Sequence, residues 1–131
     1  MFNRGAALSL LMLMTAFAPA AQAETKTPGV EERRDALLGE LAACETGRHH
    51  PPANGAYVGR YQFSTGTVIA FVRERDGRTL TAAEARALAR DDAQAGALAR
   101  YVIFERAGWT HWPACSRKLG LPARVPALKR N

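Results

Sequence analysis

The chain has 131 residues, with 18 basic side chains against 12 acidic ones, a formal net charge of +6 and two cysteines. That length leaves room for one small domain. The basic balance implies an anionic partner or serves solubility alone; it says nothing about fold.

Residues 1 to 23 have the three parts of a secretory signal peptide: Arg4, an apolar stretch from Ala6 to Ala18, and Ala21-Gln22-Ala23. Cleavage is expected after Ala23, and removal of Arg4 lowers the net charge to +5. The apolar stretch is well short of the ~20 residues that a membrane span requires, and no second one follows. The mature protein is therefore expected to be soluble and exported, to a periplasm or to the cell wall and the medium outside. In those places the anionic partners are envelope and membrane surfaces, not nucleic acid.

Residues 24 to 29 are polar, carry Pro28 and Gly29, and read as a short leader. From Val30 to Ala43, the positions Val30, Leu37, Leu38 and Leu41 recur at helical spacing, while Glu31, Glu32, Arg33, Arg34 and Asp35 are left for solvent. Gly47 offers a stop. Between Thr46 and Gly66 the chain is rich in Gly, Pro, Asn and Tyr, which suits loops and one short irregular hairpin. The following "TVIAFVRERDG" fits a short buried helix or a strand, and periodicity does not decide between them.

Thr81 and Glu84 have the spacing of a capping box and open an Ala-rich helix; Asp91 and Gln94 repeat it with an acidic cap. The second of these helices is expected to run to about Ala107, with Gly108 ending it. After Leu119 the chain is basic and broken by prolines, so residues 121 to 131 read as a frayed tail behind a domain of residues 30 to 120. The fold class is α+β, mainly helical, with an irregular Gly-rich hairpin segment.

Three features carry chemistry. Cys44 and Cys115 are the two cysteines of an exported chain, which favours one disulfide over a metal site. His49, His50 and His111 do not change that reading, because adjacent histidines rarely ligate one ion and oxidised cysteines do not ligate as thiolates. Glu45 shares a helix face with Leu38 and Leu41, which turns a carboxylate toward the apolar side, unless it swings to solvent or pairs with Arg48. A desolvated carboxylate holds its proton to higher pH, as a general acid requires.

Three blocks in order add a family to this reading: Cys44-Glu45-Thr46-Gly47, Gly59-Arg60-Tyr61-Gln62-Phe63-Ser64, and Gly108-Trp109-Thr110-His111-Trp112-Pro113-Ala114-Cys115. They resemble the catalytic domain of resuscitation-promoting factors, within the wider lysozyme-like and lytic transglycosylase superfamily. The resemblance spans about Leu37 to Gly120. It implies a small lysozyme-like domain, a catalytic role for Glu45, and a disulfide between Cys44 and Cys115. It also puts Tyr57, Tyr61, Gln62 and Thr67 in the stretch that binds the glycan, where the alternative for each is turn packing or a satisfied buried hydroxyl. Trp109 and Trp112, which flank the staple, read as core. Thr46 stands where the family has serine, and the loop "RHHPPANGAYV" differs in length and content.

From Thr46 through Arg73 the chain contains no Asp or Glu. Retaining and inverting glycosidases both need a second carboxylate, so a stretch without one suits a mechanism with a single glutamate. The implied activity is cleavage of the MurNAc-GlcNAc strand of peptidoglycan by Glu45, of the lytic transglycosylase type, with no metal or organic cofactor. A hydrolase would need Glu74, Asp76, Asp91 or Asp92 to approach through the fold. The rival reading is a non-catalytic envelope- or peptidoglycan-binding protein on the same fold. Recruitment by other cell-wall enzymes or by a secretion machine is left open by the sequence.

Overall fold

The computed structural model describes residues 27–47 and 55–129. The expected signal peptide, most of the expected leader, and the segment 48–54 with Arg48, His49 and His50 lie outside the described residues. Six α-helices and one two-stranded sheet follow in the order α1 (Val30–Gly47), β1 (Tyr57–Val58), β2 (Phe63–Ser64), α2 (Thr65–Asp76), α3 (Ala82–Arg90), α4 (Asp92–Arg100), α5 (Pro113–Leu119) and α6 (Leu121–Lys129). This is a mainly helical, small α+β domain. No helix among the described residues is long and apolar enough to cross a membrane.

The apolar spacing of the first segment does its work in α1, whose buried face is Leu37, Leu38, Leu41 and Ala42. The segment that periodicity left undecided is the helix α2. Ser64 caps it by accepting from the Thr67 N–H, and Val68 and Val72, one turn apart, are both fully buried. Both sequence caps are realised. Thr81 and Glu84 bond reciprocally at the start of α3, and the Asp91 carboxylate accepts from the Gln94 N–H at the start of α4.

Past Arg100 the chain continues as a π-helical turn, Tyr101–Glu105, which buries Val102, Ile103 and Phe104. The left-handed residue that ends it is Ala107, at φ 52, and not the expected Gly108. Gly108 serves a different need. A Cβ there would lie 2.6 Å from Val102 Cγ1 and 3.0 Å from the Val102 carbonyl, which accepts the Gly108 N–H at 2.8 Å. Only a residue without a side chain permits that approach.

The expected frayed tail is instead α6, at least as far as Lys129. Leu121 and Val125, one turn apart, are fully buried, so the segment has an apolar stripe despite its prolines. Pro122 falls in the first turn, where its missing N–H costs nothing, and the carbonyl that Pro126 leaves unpaired belongs to the exposed Pro122. Side chains of α1 hold the segment down. Arg34 donates to the Leu128 carbonyl at 2.9 and 3.2 Å while lying 5.1 Å above the Phe104 ring, and Arg124 forms a two-pronged pair with Glu40 at 2.7 and 2.9 Å. That hydrogen-bonded arginine also holds the Glu40 carboxyl below its ordinary range.

Ending the chain at Gly120 is accordingly expected to destabilise the domain by about 3–6 kcal/mol, from the loss of Leu121 and Val125 burial alone. Urea unfolding of the truncated and full-length proteins measures it, and equal midpoints would return residues 121 to 131 to a frayed tail.

Candidate functional site

Glu45 occupies the last turn of α1, half-buried, directly after Cys44. Cys44 and Cys115 form the disulfide, with Cα atoms 5.9 Å apart and 71 positions between them in sequence. It fixes the C-terminal end of α1 against α5. Thr46 closes the same turn by donating its hydroxyl to the Ala42 carbonyl at 2.7 Å.

The facing wall is the hairpin. Tyr57 pairs with Ser64 and Val58 with Phe63, and the four residues Gly59 to Gln62 make the turn between them. Gly59, at φ 76, lies so close to α3 that a Cβ would fall 1.8 Å from the Ala89 carbonyl. Gln62 is left-handed too, at φ 50, a conformation that costs a non-glycine residue about 1 kcal/mol or more. Both its backbone N–H, at 3.1 Å, and its side-chain Nε2, at 2.8 Å, donate to the Gly59 carbonyl and offset that strain.

Trp112 joins the hairpin to α5. Its ring is 2% exposed, packs edge-on against Phe63 with centroids 5.3 Å apart, and donates from Nε1 to the Tyr61 carbonyl at 2.7 Å. Pro113 then opens α5. The third wall of the site thus descends from the Trp112-Pro113-Ala114 run.

Between these walls lies an open cleft of about 250 Å³ lined by Glu45, Tyr57, Gln62, His111, Trp112, Pro113 and Ala114. Its polar groups are a carboxylate, a phenol, an amide and an imidazole over an apolar floor, the pattern of a site that orients a polar ligand on a flat surface. Tyr57 is 51% exposed, the one exposed large hydrophobic side chain among the described residues. His111 is held by edge contacts with Phe71, at 5.1 Å between centroids, and with Trp112, at 6.4 Å.

Of the residues the sequence singles out, Glu45, Tyr57 and Gln62 meet in this cleft, and Gln62 acts in the turn as well. Tyr61 and Thr67 lie elsewhere. Tyr61 is 4% exposed, with its ring turned toward a groove between α1 and α4, and burial raises the pKa of its phenol. The Thr67 hydroxyl bonds Ser64 Oγ at 2.7 Å at the start of α2. Trp112 is core, as read, and is also a cleft wall. His111, weighed only as a metal ligand in the sequence, is a wall residue; its place directly before the buried Trp112 was the one available signal. No cluster of metal-ligating side chains occurs among the described residues.

Glu45 is the only carboxylate among the described lining residues. Glu74 accepts from the Tyr101 hydroxyl at 2.6 Å and pairs with Arg106; Asp76 pairs with Arg75; Asp91 caps α4; and Asp92 lines the α1–α4 groove. Comparison with known protein families, curated proteins and solved structures finds no match to this chain.

Trp112→Ala should lower stability by about 3–5 kcal/mol, the cost of a large buried aromatic ring. Trp112→Phe keeps most of the packing and removes the indole N–H, so about 1–3 kcal/mol should be lost through the unsatisfied Tyr61 carbonyl. Thermal unfolding of both variants beside wild type reads the difference, and a Phe variant as stable as wild type would show that the hydrogen bond does not hold the turn.

Proposed function

We propose that the protein is an exported glycosidase that cleaves the MurNAc-GlcNAc strand of peptidoglycan, on a lysozyme-like domain, with Glu45 as its single catalytic carboxylate. The observation that carries this reading is the convergence of Glu45, from the end of α1, with Tyr57 and Gln62, from the hairpin, on one open cleft with an aromatic and amide lining. An open cleft suits a polymer, which enters from the side and leaves at both ends. The signal-like N-terminus, the disulfide and the three resembling blocks support the same conclusion.

In the proposed reaction the Glu45 carboxylic acid donates its proton to the glycosidic oxygen as the C1–O bond breaks. The carboxylate then accepts the proton of the sugar's own 6-hydroxyl as O6 bonds to C1, which closes a 1,6-anhydro ring and restores the acid. Nothing is consumed besides the strand. Hydrolysis instead requires a base for water at a set distance from the acid. The four acids that might have served are engaged or located elsewhere, which favours the transglycosylase type.

Glu45→Gln should abolish cleavage and leave the fold intact, because the amide keeps the shape of the side chain and cannot deliver a proton. General acid–base assistance is worth about 10²–10⁴-fold, so release of fragments from purified peptidoglycan should fall by that factor. Mass analysis of wild-type products should find anhydro ends, one water lighter than hydrolysis products. Ordinary reducing ends would make the enzyme a hydrolase. A Gln variant as active as wild type would remove Glu45 from the mechanism, and binding without cleavage by wild type would leave a peptidoglycan-binding protein.

A further inference from the structure

Part of the positive charge is compensated within the fold. Arg34, Arg75, Arg100, Arg106 and Arg124 are all paired with carboxylates. On α3, by contrast, Arg86 and Arg90 are exposed, stand four residues apart on one helix face, and form no ion pair among the described residues. Of the acids nearest to them in sequence, Glu84 accepts the Thr81 N–H at 2.7 Å, Asp91 accepts the Gln94 N–H at 2.8 Å, and Asp92 lines the α1–α4 groove.

This pair belongs to the helix that packs against the hairpin. The space a Gly55 Cβ would occupy is 3.9 Å from Arg86 Nη1, and Gly55 is two residues ahead of the exposed, cleft-lining Tyr57. The Arg90 backbone nitrogen is 3.5 Å from the corresponding position at Gly59, the first residue of the turn that carries Gln62. The Arg86 guanidinium therefore lies beside the chain that enters the hairpin, and the α3 backbone at Arg90 lies against its turn. The cleft lining itself contains no arginine or lysine.

We propose that Arg86 and Arg90 form a second contact surface that binds the carboxylates of the peptide side branches on the strand seated in the cleft. This inference rests on the glycan-cleaving reading given above. A strand lying past Tyr57 carries its branches toward the hairpin edge, and a planar guanidinium offers a carboxylate two parallel hydrogen bonds. The glycan backbone of such a strand is recognised inside a cleft without arginine or lysine and its branches outside by arginine, so the two contributions separate by chemistry.

The test uses the mature protein and an Arg86→Ala/Arg90→Ala double variant, with co-sedimentation on intact peptidoglycan and on the same glycan stripped of its peptides by an amidase. The double variant should bind intact material about 5- to 10-fold more weakly than wild type, an effect that fades in high salt, and should match wild type on stripped glycan. An Arg86→Lys/Arg90→Lys variant should recover part of the loss. Equal binding of wild type and double variant to intact material, equal losses on both materials, or no binding of wild type to either would overturn the proposal. A loss seen only with a phosphate-bearing wall polymer would overturn it in favour of that polymer. Arginine-dependent binding without any cleavage would leave this surface standing and remove the proposed activity; cleavage of both materials at unchanged rates by the double variant would do the reverse.

Discussion

One buried hydrogen bond, from the Trp112 indole to the Tyr61 carbonyl, ties together what the disulfide alone would leave apart. The cleft has three walls, and each comes from a different part of the chain: the end of α1, the hairpin, and the start of α5. Cys44–Cys115 locks the first to the third, with a loop long enough to contribute about 4 kcal/mol in the chain-entropy description. The hairpin has only two paired residues per strand, too few to be stable by itself. Trp112 supplies the missing constraint by donating to the turn and packing on Phe63 in the strand behind it. In a domain whose total margin is of the order of 5–15 kcal/mol, loss of either tie removes a large share.

The parts of this arrangement that were legible in sequence are those fixed by local chemistry. Thr81 with Glu84 and Asp91 with Gln94 announce helix starts because each supplies the acceptor that the first turn lacks. Glu45, Tyr57 and Gln62 could be singled out from residue type and a motif resemblance. What stayed hidden depends on tertiary contact. The stripe that makes α6 a helix consists of only Leu121 and Val125, and proline was the stronger local signal. Gly108 reads as a helix terminator, whereas the fold uses it for close approach to Val102. Tyr61 and Gln62 are adjacent, yet the left-handed turn sends one ring toward the core and the other side chain into the cleft. No periodicity rule carries that information.

The surface ion pairs play a different part from the core. Arg100 reaches both Glu31 and Asp35, Arg34 reaches Glu31, and Arg124 reaches Glu40, so α1 is laced to α4 and α6 along its solvent side. Exposed pairs of this kind contribute little each, typically below ~1 kcal/mol. Their larger effect is on the distribution of charge. They compensate part of the basic charge along α1, whereas Arg86 and Arg90 on α3 have no ion pair among the described residues.

The position of Glu45 is the opposite of what helix stability favours. A helix C-terminus carries partial negative charge and gains from cations, while an anion there typically costs about 0.3–1 kcal/mol. The last turn of α1 has no basic residue, and Thr46 spends its hydroxyl on the Ala42 carbonyl. A carboxylate at this site, anchored by a neighbouring disulfide and half-withdrawn from solvent beside Trp112, is placed against the local preference of its own helix. Residues that oppose the folding preference of their element concentrate where function needs them. At that position Glu45 is the only carboxylate among the described residues that line the cleft, which is the place the proposed reaction requires of it.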